Sequence, residues 1–71
     1  MPPEYSVGKC LLLDLLNSRY MTQADLISKT GIAKSQISAY INNKNIMSLS
    51  TARVISRTLK CRIEDLYEWN D

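Results

Sequence analysis

The chain contains no histidine. That removes the commonest general base and the one side chain whose ordinary titration falls near neutral pH. Serine and lysine are plentiful, but nothing in the sequence pairs a nucleophile with a base, so an enzyme is not expected. Cysteine is limited to Cys10 and Cys61, too few for a disulfide framework. Without histidine, two thiols cannot complete a structural zinc site unless two chains share it, and neither a metal nor a cofactor is expected. Both cysteines read as reduced, small apolar side chains in a cytoplasmic protein. No apolar run is long enough to span a bilayer. The first residues also lack the basic start, apolar stretch and small-residue cleavage site of a secretion signal. No membrane partner is therefore expected. Seventy-one residues make one domain, near the lower limit for a self-sufficient hydrophobic core.

Acid is missing from the middle of the chain. Between Leu26 and Ile63 there is no Asp or Glu, yet Lys29, Lys34, Lys44, Arg53, Arg57, Lys60 and Arg62 all lie there or at its edge. Glu64, Asp65, Glu68 and Asp71 bunch at the C-terminus, so a net charge of only +2 hides a strongly uneven distribution. A folded domain with a purely basic middle has a face suited to a polyanion. The plainer reading is a solvated face with no partner.

Periodicity predicts an all-α chain. Met1 to Tyr5, with Pro2-Pro3, reads as an extended and poorly ordered leader. Ser6 is expected to N-cap a first helix to about Arg19, with Leu12, Leu15 and Leu16 inward and Leu11 or Leu13 near the surface. Thr22 is expected to cap a second helix, with Asp25 as the acidic partner of a capping box and Met21 packing ahead of it. Gly31 stops that helix by taking positive φ without strain. A third helix follows within two or three residues, with Ile37, Tyr40 and Ile41 at i, i+3 and i+4. Helices joined so closely cannot pack antiparallel and must cross steeply. After a loop at Asn45-Ile46-Met47, Ser48 caps a fourth helix to about Leu59, with Leu49, Ala52, Ile55 and Leu59 as its apolar face. Lys60-Cys61 turns the chain into a last short helix marked by Ile63, Leu66 and Tyr67 and ending near Trp69. The expected architecture is a compact five-helix bundle.

The residues Thr22-Gln23, Leu26, Gly31, Ile32, Ser35, Ile37, Ser38 and Asn42-Asn43-Lys44 carry a resemblance. Residues 22–44, and less sharply 9–69, resemble the DNA-binding domain of lambda-type repressors and Cro proteins, the XRE family. The resemblance implies a single lambda-repressor-like domain over 1–71, with the helix-turn-helix at helices 2 and 3. Five positions depart from the family pattern. Asn43 stands where most members have Gly, and Asn is the next-best residue for left-handed backbone. Leu16 and Ile41 stand where members commonly hold an Arg against a Glu, which predicts that these two side chains touch. Ile27 replaces a small residue between the crossing helices, and Lys60 a Gly after the fourth helix.

Double-stranded DNA is thus the expected partner, and its contacts sort into positioning and reading sets. Thr22 and Gln23 lie where free backbone N–H groups and the helix dipole favour a phosphate, although a plain capping role also suits Gln23. Asn43 and Lys44, with Asn42, follow the recognition helix and are placed to clamp a phosphate. Gln36 and Tyr40 can join, Tyr40 through its hydroxyl while its ring packs. The reading face of residues 33–42 presents Ala33, Lys34, Ser35, Ser38, Ala39 and Asn42 to the major groove. Lys34 suits guanine O6 and N7, the serines either kind of acceptor, and Ala39 a thymine methyl.

The expected function is a sequence-specific transcriptional regulator, bacterial or phage, that represses by occupying an operator, with no small-molecule ligand and a place on the nucleoid in the cytoplasm. A second class is a protein-binding helix-turn-helix module, such as an antirepressor or co-regulator. Leu11 or Leu13, Ile46, Met47, Val54, Tyr67 and Trp69 exceed what so small a core absorbs, and an exposed apolar patch marks an interface. A homodimer is another use of that patch. The small, basic face of residues 33–42 favours DNA.

Overall fold

The computed structural model describes residues 6–70; the expected leader, Met1 to Tyr5, lies outside them. In order, the elements are β1 (Ser6–Cys10), α1 (Leu12–Ser18), α2 (Gln23–Thr30), α3 (Lys34–Ile41), α4 (Leu49–Leu59), a 3-10 turn (Ile63–Leu66) and β2 (Tyr67–Asn70). The fold is mostly helical with a small antiparallel sheet of β1 and β2, so the five-helix expectation is corrected at both ends.

At the N-terminal end, the expected helix from Ser6 is a strand up to Cys10, and α1 begins only at Leu12. Gly8 explains part of the difference, because glycine inside a helix costs about 1 kcal/mol. In the strand it permits a close approach. A Cβ on Gly8 would meet the Glu68 carbonyl oxygen at 3.0 Å and the Glu68 Cβ at 3.1 Å. Val7 pairs with Trp69 and Cys10 with Tyr67, leaving one extra residue on β1, a bulge beside that close approach. At the C-terminal end, Ile63–Leu66 makes a single tight turn, closed by the Asp65 carboxylate accepting from the Arg62 N–H at 2.9 Å. Tyr67 to Asn70 then extend, because their backbone groups find partners on β1 rather than within a helix. The Leu11 N–H donates to the Leu66 carbonyl at 2.8 Å and holds the sheet against the start of α1.

The core gathers Leu12 and Leu16 from α1, Leu26 from α2, Ile37 and Tyr40 from α3, Ala52, Ile55 and Leu59 from α4, and Leu66. Burial of a side chain the size of leucine is worth about 1.5–3 kcal/mol. Leu13 is the first-helix leucine turned outward. Leu16 is buried, Ile41 packs partly buried against the same core, and α1 touches α3. Ile27 is accommodated half-buried at the edge. Two assignments to the core change. Leu49, expected on the buried face of α4, is 75% exposed, while Ser56 of the same helix is fully buried. The Ser56 hydroxyl is satisfied by donating to the Arg53 carbonyl at 2.9 Å.

Three helices end alike. After α1, α3 and α4 the chain enters left-handed backbone at Tyr20, Asn43 and Lys60, with φ of 54°, 60° and 56°. In each case the next residue's N–H reaches back across the last turn, Met21 to Leu16, Lys44 to Ala39 and Cys61 to Ser56, at 2.9 Å. These are Schellman endings, where glycine is the usual occupant. Gly31 closes α2 at φ 74°.

Candidate nucleic-acid interface

The α2 end of the interface is built by its capping box. Thr22 Oγ1 accepts from the Asp25 N–H at 3.1 Å, and Asp25 Oδ2 accepts from the Thr22 N–H at 3.0 Å. These bonds from Thr22 hold the exposed Asp25 carboxyl below the usual carboxylate range. With the box closed, the N–H groups of Gln23 and Ala24 meet no acceptor among the described residues. They are oriented donors at the positive end of a helix, which is what a phosphate oxygen requires. Thr22 is exposed and Gln23 half-buried beside them.

A turn of three residues leads to α3. Thr30 braces it, its hydroxyl donating to the Leu26 carbonyl at 2.8 Å and accepting from the Ile32 N–H at 3.2 Å. Ala33 occupies the N-cap of α3 and has no side-chain acceptor. The N–H groups of Lys34 and Ser35 are therefore also without an acceptor among the described residues. Ala33, Lys34, Ser35, Gln36 and Asn42 are exposed, and Ser38 and Ala39 half-buried. Asn42 Nδ2 donates to Ser38 Oγ at 3.2 Å, so two residues of the expected reading face hold each other. Ile37 and Tyr40 face the core. Tyr40 is only 7% exposed, so its ring serves packing.

Asn43 does something that the sequence reading missed. It is left-handed as expected, but its Oδ1 accepts from the Cys10 N–H at 2.8 Å, joining the end of α3 to β1. A contact between residues 33 apart has no local signature, and the strand supplying that N–H was read as helix. Lys44, next in the chain, is exposed.

The electrostatics suit a polyanion. Lys29, Lys34, Lys44, Arg53, Arg57 and Lys60 are all exposed. The one ion pair among the described residues joins Arg62 to Asp65 at 3.6 Å and uses none of them. Elsewhere, burial pushes the Cys10 and Cys61 thiols and the Tyr67 phenol above their ordinary values. Among the described residues no cluster of acidic and cysteine side chains is arranged to hold a metal. No helix there is long and apolar enough to cross a membrane.

A second surface lies against the sheet. Val7, Ile46, Leu49 and Trp69 line an apolar groove, with Ile46 69% and Trp69 43% exposed. Met47 and Tyr67, expected in an exposed patch, are instead buried, because the Tyr67 hydroxyl accepts from the Met47 N–H at 3.1 Å and closes the loop onto the core.

Comparison with known proteins agrees with this geometry. The sequence profile of the Cro/C1-type HTH DNA-binding domain matches residues 12–71. Over 64 residues the chain is 39% identical to YopS, a SPbeta prophage-derived uncharacterized HTH-type transcriptional regulator of Bacillus subtilis (strain 168), covering 89% of this chain and 86% of that one. It is 33% identical over 60 residues to YotL, another regulator so described from the same prophage, covering 83% and 75% of the two chains. The crystal structure of the transcriptional regulator VanUg superposes with a TM-score of 0.75 at 25% identity, over 97% of this chain and 91% of that one.

Proposed function

This chain belongs to the Cro/C1-type helix-turn-helix DNA-binding family, and from that premise we propose that it is a repressor that inserts α3 into the major groove of an operator. The observation that carries the reading is the pair of helix starts. The starts of α2 and α3 leave four backbone N–H groups, of Gln23, Ala24, Lys34 and Ser35, open to an acceptor, and the α3 face beside them is small and basic. In this reading Lys34, Ser35, Ser38, Ala39, Asn42 and Ala33 meet base edges, the short side chains letting the helix sit deep. Thr22, Gln23, Gln36 and Lys44 hold phosphates on either side, with the Asn43 amide nitrogen and the Tyr40 hydroxyl at the margin. Occupying the operator then excludes polymerase sterically.

Two copies meeting through the groove of Val7, Ile46, Leu49 and Trp69 would offer two recognition helices to a palindrome whose half-sites lie about one DNA turn apart. The test is selection of bound duplexes from a random-sequence library, at low and at near-physiological salt. An enriched palindrome is expected. A single enriched half-site would keep the regulator and remove the dimer. Binding that enriches nothing and vanishes with salt would reduce the interface to a basic surface meeting a polyanion, and the groove would then point to a protein partner.

A further inference from the structure

Tyr20 is held in a conformation that an aromatic residue rarely adopts. Its φ is 54°, in the left-handed region where a bulky side chain is a genuine outlier. The Schellman ending of α1 requires that backbone, with the Tyr20 N–H on the Asn17 carbonyl at 3.2 Å and the Met21 N–H on Leu16. Glycine would satisfy the ending without strain. The ring recovers none of the strain by packing, since Tyr20 is 97% exposed, the most exposed large apolar or aromatic side chain among the described residues. Its hydroxyl has no partner among the described residues.

Strain and exposure together mark a side chain kept for something outside the free protein. Tyr20 lies two residues before the Thr22 cap and three before Gln23, next to the donors assigned above to a phosphate. Its chain neighbours add no exposed apolar patch, since Met21 is half-buried against the core. Thr22 is exposed, and the Arg19 guanidinium is committed to the Leu59 carbonyl. The exposed apolar side chains Ile46, Leu49 and Trp69 gather instead at the sheet groove. A single amphipathic ring set apart from that groove suits a sugar–phosphate backbone, with an apolar face for the sugar and a hydroxyl for the phosphate.

We propose that Tyr20 is a DNA-backbone contact at the α2 end of the interface, its ring against a deoxyribose and its hydroxyl donating to a phosphate oxygen. The proposal rests on the DNA-binding reading above. It explains why tyrosine is kept where glycine would make a more stable protein.

The test measures stability and affinity on the same variants, using a mixed-sequence duplex of about 30 base pairs at low salt and the duplex enriched by selection. Tyr20→Gly is expected to melt higher than the wild type yet bind about five- to tenfold more weakly. Because tyrosine is uncharged, the slope of affinity against salt should not change. Tyr20→Phe keeps the ring and the strain but loses the donor, so its melting temperature should match the wild type while binding falls about threefold. Wild-type affinity in Tyr20→Gly overturns the proposal and turns the search to a protein partner for the ring. Wild-type affinity in Tyr20→Phe alone overturns the phosphate bond. A wild-type protein that binds neither duplex removes the DNA reading itself, an outcome distinct from either.

Discussion

Single residues at helix ends set much of this protein's local energetics. Lys60 closes α4 at φ 56°, with the Cys61 N–H on the Ser56 carbonyl at 2.9 Å. Lys60→Gly removes the strain and keeps the bond, and it should stabilise the fold by about 1 kcal/mol, read as a higher urea midpoint. Asp25 responds to pH. Its carboxyl is held below the usual range by bonds from Thr22, so its contribution is full above the ordinary carboxylate value and lost as pH falls through the depressed one. Asp25→Ala should therefore melt lower than the wild type at neutral pH, and the gap should close in acid, below the depressed carboxyl value. Melting curves across that range check it, and a gap unchanged in acid would sink the capping-box account.

At the scale of elements, the recognition helix is tied to the sheet by one side chain. Asn43 provides both the left-handed backbone that ends α3 and the acceptor for the Cys10 N–H. Two variants separate these jobs. Asn43→Gly keeps the backbone and strands a partly buried donor, for a loss of about 1 kcal/mol, whereas Asn43→Ala loses both and should cost about 2 kcal/mol. Equal losses in chemical denaturation would show that the backbone conformation is not what distinguishes them. The sheet at the other end of this tie was hidden because its strands are four and five residues long, and their stability comes from pairing opposite ends of the chain, Ser6 with Asn70 and Cys10 with Tyr67. Val7, Gly8 and the alternation around Trp69 were the available signals. The density of leucine just after them outweighed these signals and drew the first helix too far forward.

Over the whole molecule, charge and shape divide the work of binding. Lys34→Ala should change which sequences a random library yields, whereas Lys44→Ala should weaken every duplex alike and lower the slope of log K against log salt by about one. Equal effects of the two substitutions on every duplex would refute this division. The acid-free stretch from Leu26 to Ile63 already implied a basic face. The fold adds that, among the described residues, Lys29, Lys34, Lys44, Arg53, Arg57 and Lys60 make no ion pair, while Asp65 is spent on Arg62 at the 3-10 turn.

The helix-turn-helix was legible because its signals are local. A capping box spans four residues, a positive-φ stop needs one glycine, and an apolar face repeats every three or four positions, so α2, α3 and α4, with the caps of α2 and α4, follow from neighbours in the chain. The outer face of α3, and with it the candidate reading residues, follows from the same period. Contacts between distant parts were decided only by the tertiary structure. It set the β1–β2 pairing and its bulge at Gly8, the bond from Cys10 to Asn43, the burial of Met47 and Tyr67, and the exposure of Leu49. The pairings and bonds depend on partners 20 or more residues away, and the exposure of Leu49 on how α4 sits against the rest of the chain. Tyr20 stands between the two kinds, since its sequence context predicts a turn and only the folded chain reveals a strained ring with nothing to pack against.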